Sequence, residues 1–253
     1  MLRVSVVIPV LDDAAHLDRC LGDLARQTVA PFEVIVVDNG SSDDSAAVAL
    51  RHGARVVREP ARGIPAAAAC GYDAAGGDVI ARCDADTRPP PTWLARTLDA
   101  FEQDPDLAAL TGPGTFYDLP PVRGWLARVV YMRGYFWGVH AALAGVPLWG
   151  SNMALRREVW LSVRDAVPRT DARVHDDMDL SFRLRSARVR YDRDHLVGVS
   201  GRTFDSPASF WRRMHWALRT ISINWRATPP WSRWADRLGL SRSGVRGPGS
   251  PMA

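Results

Sequence analysis

Residues 32–43 read Phe-Glu-Val-Ile-Val-Val-Asp-Asn-Gly-Ser-Ser-Asp. The β-branched, apolar run over 32–37 has the length of a strand and reads as one buried on both faces. Asp38-Asn-Gly40 closes it with a turn signature, since Asp and Asn bond their own backbone and glycine accepts φ > 0. Residues 42–51 then read as a capped helix. A doubly buried strand that feeds a helix belongs to a parallel sheet with helices on its faces.

The same unit recurs on both sides. Residues 2–10, Leu-Arg-Val-Ser-Val-Val-Ile-Pro-Val, form a second buried strand. Within 13–27, Leu17, Cys20, Leu21 and Leu24 fall at helical spacing. A short strand over 55–58, an alanine-rich helix over 64–75 and a strand over 78–83 continue the alternation. The fold class expected is therefore α/β with a mostly parallel central sheet. Ligands on such sheets bind at the carboxyl ends of the strands. Asp38 and the pair Asp84 and Asp86 both fall there. Further on, the pattern predicts a helix over 92–103, a strand over 108–112 and an aromatic helical stretch over 122–145. A strand near 150–155, a loop through His175, a helix over 176–187 and a strand over 189–192 follow.

Asp84-Ala-Asp86 has its own chemistry. Alternate residues of a strand project the same way, so the two carboxylates share a face. They repel unless a cation lies between them, and hard oxygen ligands suit Mg²⁺ or Mn²⁺. In isolation the motif reads better as a solvated turn than as a cation site.

Composition bounds the rest. The chain has 253 residues, 47% hydrophobic and 24% charged, which is enough apolar material for one large soluble domain. All 32 basic residues are arginine, so an arginine count by itself carries little meaning. Residues 206–253 hold eight arginines against Asp236, or +7; the net +4 then leaves −3 on the remainder. A basic end on a mildly acidic body points to an anionic partner, membrane surface or phosphate. Cys20, Cys70 and Cys83 make neither a disulfide framework nor a zinc pattern, which fits a reducing compartment. No signal-peptide layout opens the chain, and the nearest approach to a membrane span, 135–149, is short and contains His140 and Pro147. A cytoplasmic protein is expected, peripheral on the inner face of the plasma membrane if it meets lipid.

Four segments in order resemble the family 2 glycosyltransferases of the GT-A fold. They are Val4-Ser-Val-Val-Ile-Pro-Val10, Val36-Val-Asp-Asn-Gly-Ser-Ser-Asp43, Asp84-Ala-Asp86 and His175-Asp-Asp-Met-Asp179. The resemblance covers roughly residues 2–205. It implies a Rossmann-like GT-A domain over 1–205, with a nucleotide-sugar half (1–110) and an acceptor half (111–205). A basic amphipathic helix over 206–229 and a disordered, Pro-, Gly-, Ser- and Arg-rich tail over 230–253 are expected to follow.

The resemblance also implies roles. Pro9, Val10, Leu11, Asp13, Asp38, Arg62, Gly63, Asp84, Ala85 and Asp86 would bind the nucleotide-sugar. Asp38 would accept a hydrogen bond from the base; the alternative is a turn residue capping its own loop. Asp86 would bind Mn²⁺ or Mg²⁺ directly, and Asp84 ribose or metal. The cation would neutralise charge on the departing nucleoside diphosphate. Asp177 would be the general base that deprotonates an acceptor hydroxyl, inverting the anomeric carbon. Asp176 beside it, with Ser151 and Asn152, would line the acceptor side; acids at a helix start are also favoured by its dipole alone. Two departures stand out: Leu11-Asp-Asp13 replaces the family's usual Tyr-Asn-Glu, and Ala67-Ala-Ala-Cys-Gly71 replaces Ala-Arg-Asn-x-Gly.

Nine of the ten tryptophans lie after residue 124. Over 208–226, Phe210, Trp211, Met214, Ala217, Leu218, Ile221 and Trp225 share one helical face, and Arg212, Arg219 and Arg226 the opposite one. That face either packs on the domain or lies on anionic lipid. Arg212, His215 and Trp216 resemble the Gln/Arg-x-x-Arg-Trp motif of processive members, with His215 in place of arginine.

The expected function is therefore metal-dependent transfer of a sugar from a nucleotide-sugar donor to a hydroxyl acceptor, lipid-linked or part of a cell-envelope glycan. A catalytically inactive scaffold on the same fold is the alternative. A nucleotidyltransferase is disfavoured because residues 8–20 lack its glycine- and lysine-rich entry, and no nucleic acid partner is expected.

Overall fold

The computed structural model describes residues 1–240. The chain runs β1 (Val4–Val10), α1 (Ala14–Leu24), β2 (Glu33–Asp38), α2 (Ser45–Arg51), β3 (Arg55–Arg58), α3 (Ile64–Ala74) and β4 (Val79–Arg82). It continues through α4 (Trp93–Gln103), β5 (Leu107–Thr111), β6 (Gly114–Phe116), α5 (Pro121–Leu126), a π-helical segment (Ala127–Met132) and α6 (Arg133–Leu143). Then come β7 (Met153–Arg156), α7 (Arg157–Val163), α8 (Asp176–Arg183), β8 (Arg188–Tyr191), β9 (Val197–Val199), a 3₁₀ turn (Gly201–Phe204), α9 (Pro207–Ala227) and α10 (Pro230–Arg237).

Seven strands form the main sheet in the order β3-β2-β1-β4-β7-β5-β8. All neighbours are parallel except that β7 runs against both β4 and β5. This is the GT-A arrangement expected from the sequence. The strand period sorts the side chains into two cores. Val4, Val6, Ile8 and Val10 of β1 face α1 and α4, whose Leu17, Leu21, Trp93 and Phe101 complete one layer. Val7 of β1 joins Ile35 and Val37 of β2 against Ala67, Ala68 and Tyr72 of α3 in the other. The ends of β1, β2 and β4 therefore meet at one edge, with Val10 paired to Asp38 across the first two strands.

Within Ala67–Gly71, the glycine that the stretch shares with the family pattern has a packing explanation. A Cβ on Gly71 would overlap Val7 Cγ1 and approach Val37 Cγ2 at 2.8 Å, so α3 sits on the sheet at glycine distance. Gly71→Ala is expected to cost about 3 kcal/mol in overpacking against about 1 kcal/mol gained in helix propensity. A fall in melting temperature of about 4–8 °C is expected for a domain of this size, read by calorimetry.

The expected helical stretch 122–145 is present as α5, the π-helical segment and α6, ended by Ala144 at φ 58°. All three cysteines are free thiols, as expected; Cys20 and Cys83 are buried 3.8 Å apart. The expectation of disorder from residue 230 is corrected over α10. Pro230 sits at the helix start, where its fixed φ and missing N–H cost nothing. Arg233 is buried with its guanidinium over the Phe182 ring at 4.7 Å, and Trp234 Nε1 donates to the Ala141 carbonyl at 3.0 Å. Asp236 pairs with Arg185. The rest of the expected tail, 241–253, lies outside the described residues. Among the described residues, no helix is long and apolar enough to cross a membrane.

Candidate functional site

A cavity of about 530 Å³ opens at the carboxyl edge of β1, β2 and β4. Pro9, Val10, Leu11 and Asp13 form one wall, and Arg62 and Gly63 another. Asp84, Ala85 and Asp86 lie on its floor, with Ser151 and Asp176 opposite; Arg212, Arg213 and Trp216 of α9 close the far side. Four candidates from the sequence lie outside this wall: Asp38, Asn152, His215 and Asp177, the last of which follows Asp176 at the start of α8. Asp38 is buried and its Oδ1 accepts the Ser41 N–H at 2.8 Å, so it caps its own turn. Asn152 is fully buried, accepting from Trp93 Nε1 at 2.8 Å and donating to the His195 carbonyl at 2.5 Å. His215 is exposed on α9, rotated off the face that carries Arg212, Arg213 and Trp216.

Asn39 takes the position assigned to Asp38. It lines the cavity, its Nδ2 donates to the Glu59 and Ala61 carbonyls, and its Oδ1 accepts the Gly63 N–H at 2.8 Å. One amide thus staples the turn after β2 to the loop after β3. Gly63 is at φ +132°, and a Cβ there would meet the Ala172 Cβ at 2.8 Å, so this loop admits only glycine. Arg62 donates to the Gly40 carbonyl at 3.1 Å and is otherwise exposed toward the cavity.

Two arginines organise the acids, and sequence reasoning missed both. Arg82, 2% exposed, donates through NH2 to Asp84 Oδ1 at 3.2 Å and through NH1 to Asp176 Oδ2. Its NH1 also reaches Tyr72 Oη at 3.3 Å. A Cβ on Gly150 would meet this guanidinium at 2.8 Å, so the glycine before Ser151 makes room for it. Ser151 Oγ donates to Asp84 Oδ2 at 2.6 Å, so Asp84 is held from both sides. Arg202, from the 3₁₀ turn after β9, pairs through Nε with Asp86 Oδ2 at 2.8 Å and through NH1 with Asp13 Oδ2 at 2.7 Å. A charged residue inside the apolar run 79–83 was a signal for Arg82. Nothing in the sequence around Arg202 marks it.

The electrostatics follow from burial. The Asp86 carboxyl is pushed up to about 6 by burial and then by the Asp84 charge, with Arg202 opposing. Asp176 is pushed up to about 6 by burial, with Arg82 opposing and Asp177 adding to the rise. Asp177 differs from its neighbour. Both are half-buried, but Asp177 makes no ion pair among the described residues; its Oδ2 accepts the Gly150 N–H at 2.7 Å and its Oδ1 the Met178 N–H at 2.7 Å.

In this ion-paired cluster four carboxylates (Asp13, Asp84, Asp86, Asp176) share two guanidiniums (Arg82, Arg202), a local deficit of two positive charges, while Arg62, Arg212 and Arg213 line the cavity without pairing to these acids. Asp84 and Asp86 supply two hard oxygen ligands, and among the described residues no third His, Cys, Asp or Glu joins them into a complete protein cage. Such a half-site fits Mg²⁺ or Mn²⁺ bound together with substrate phosphate.

Residues 5–159 match the sequence profile described as glycosyl transferase family 2. An uncharacterized glycosyltransferase of Mycobacterium tuberculosis is 36% identical over 130 residues, covering 50% of this chain and 55% of the relative. An undecaprenyl-phosphate 4-deoxy-4-formamido-L-arabinose transferase of Sodalis glossinidius is 34% identical over 119 residues, covering 42% of this chain and 35% of that protein. The chain spans about half the length of the mycobacterial relative, at 55%. Among solved structures, glucosyl-3-phosphoglycerate synthase of Mycobacterium tuberculosis, with Mn²⁺, UDP-glucose and phosphoglyceric acid, superposes with a TM-score of 0.62 at 20% identity, covering 96% of this chain and 82% of that one. A mannosyltransferase of Pyrobaculum calidifontis with GDP-mannose and Mn²⁺ gives 0.60 at 19% identity, covering 94% and 80%.

Proposed function

This chain belongs to glycosyl transferase family 2, and we propose that it transfers a sugar, with inversion, from a nucleoside diphosphate-sugar to a hydroxyl acceptor. The observation that carries the reading is the charge deficit beside Asp84 and Asp86 in a cavity of donor size. The two carboxylates would hold Mn²⁺ or Mg²⁺, as do the donor complexes of the structural neighbours. When bound, the cation supplies Lewis-acid stabilisation of the departing diphosphate.

This chain's residues do the rest. Pro9, Val10, Leu11 and Asn39 border the nucleoside, and the guanidinium of Arg62, held by the Gly40 carbonyl but in no ion pair with a described residue, meets the diphosphate. Arg82 and Ser151 fix Asp84, so Ser151 positions an acid rather than contacting the acceptor. Asp176 is neutralised by Arg82, which makes it a positioning residue. Asp177 has no cation partner and takes the proton from the acceptor hydroxyl as that oxygen attacks the anomeric carbon. Residues 1–110 serve the donor and 111–205 the acceptor. The acceptor is lipid-linked or part of an envelope glycan, met at the inner membrane face; the name of the Sodalis glossinidius relative supports a lipid carrier.

The test is release of nucleoside diphosphate from UDP-, GDP- and dTDP-sugars with Mn²⁺ or Mg²⁺. One donor should turn over and EDTA should stop it. Silence across the panel with membrane lipid extract supplied as acceptor would sink the reading.

A further inference from the structure

We propose that the groove between α5–α6 and α9 is a second binding site, one that holds the hydrocarbon chain of a lipid acceptor whose phosphate carries the sugar that offers the reacting hydroxyl. The proposal rests on the transferase reading and names the class of acceptor it uses. The groove, about 820 Å³, exceeds the donor cavity and lies within the size range of ligand sites. Its walls are apolar: Leu126, Val130 and Val139 on one side, Met214, Leu218 and Ile221 on the other.

Gly134 and Gly138, one helical turn apart on α6, both line the groove. A Cβ built on either meets nothing within 4 Å, so the two glycines open a channel rather than permit close packing.

Two observations select a lipid. First, the groove and the donor cavity share Tyr131, His175, Thr203 and Arg213, so an occupant of the groove presents its head to the donor. Met178, next to Asp177, lies in the groove wall. Arg213 lines both groove and cavity, beside Arg212 of the donor cavity, and neither arginine makes an ion pair with a described residue. Cations at the head end of an apolar channel complement a phosphate on a long chain. Second, the outer rim carries exposed tryptophans: Trp125 at 60%, Trp137 at 77% and Trp211 at 66%. Tryptophan and arginine together around an apolar opening suit the headgroup layer of a membrane, from which such a lipid is drawn.

α9 itself is anchored by polar contacts on its other side. His175 N–H donates to Thr220 Oγ1 at 3.0 Å, and Asn224 Nδ2 to Asp179 Oδ1 at 2.8 Å. On its apolar face Ala217 and Ile221 pack on the domain, while Trp211 and Leu218 remain exposed.

The test uses the full chain without donor and titrates farnesyl phosphate below its micelle concentration, read by tryptophan fluorescence and calorimetry. Saturable binding is expected, weakened at least tenfold in Gly134→Leu/Gly138→Leu, whose side chains fill the channel without a clash. Binding of nucleoside diphosphate with Mn²⁺ should be the same in both proteins. Equal farnesyl phosphate binding by the wild type and the double variant, or none by either, overturns the proposal. So does displacement of farnesyl phosphate by an equal concentration of inorganic phosphate, which would leave only an anion site. A dimer in the wild type that the double variant abolishes would assign the groove to a second copy instead. Because no turnover is measured, failure here leaves the transferase reading standing, and failure of donor turnover leaves this binding measurable.

Discussion

Asp177→Asn is expected to lower turnover by about 10²–10⁴-fold, the contribution of a positioned general base, while donor affinity stays within about twofold of wild type. An acceptor hydroxyl is a poor nucleophile at neutral pH and needs its proton taken during attack. Of the two acids opening α8, Asp176 is bound to Arg82 and lends its charge to holding Asp84. Asp177 is oriented by two backbone N–H groups, from Gly150 and Met178, yet each oxygen keeps a second lone pair. An asparagine there must turn its NH₂ toward one of these donors, so a stability loss of about 1–3 kcal/mol accompanies the change. Melting and donor-binding measurements separate that loss from the loss of chemistry. Asp176→Asn should do the reverse, weakening donor and metal binding through Asp84. Turnover within tenfold of wild type in a folded Asp177→Asn protein would remove the base assignment. It would fit a nucleophile already ionised, such as a phosphate oxygen, which needs no base.

The fold was legible because its signal is local and periodic. The runs ending at Val10, Val37 and Arg82 are long enough and apolar enough to be doubly buried strands, and the residues after each strand necessarily gather at one edge. Pro9, Asp13, Gly63, Asp84 and Asp86 line the cavity for that reason. What sequence patterns missed depends on direction and long-range pairing. Asp38 and Asn39 are adjacent and both polar; only the turn geometry decides that Asp38 bonds Ser41 while Asn39 lines the cavity. Arg202 meets Asp86 across more than a hundred residues, after a strand of three residues that pairs outside the main sheet. α10 was obscured by composition, since Pro-Pro, Ser and Arg suggest disorder until Arg233 finds Phe182.

Arg82 is where fold and chemistry are most tightly joined, and Arg82→Met should be the most destabilising single change at the site. The guanidinium is almost fully buried and serves Asp84, Asp176 and Tyr72 at once. Methionine fills much of the same volume but leaves Asp176 and the part-exposed Asp84 without the cation they share. Breaking one side of such a network costs about 3–5 kcal/mol, or a melting temperature lower by about 6–20 °C in a domain of this size. Part of the loss is relieved at low pH, because burial already holds Asp176 near 6 and removing Arg82 pushes it higher, so it protonates sooner. The neutral variant makes the same point without acid: Arg82→Met/Asp176→Asn should recover most of the stability. It should not recover donor turnover, since Asp84 then has only Ser151 to hold it. A double variant no more stable than Arg82→Met would mean that the arginine supports the sheet by packing alone. Recovery of stability together with full turnover would mean that Asp84 needs no anchoring by charge.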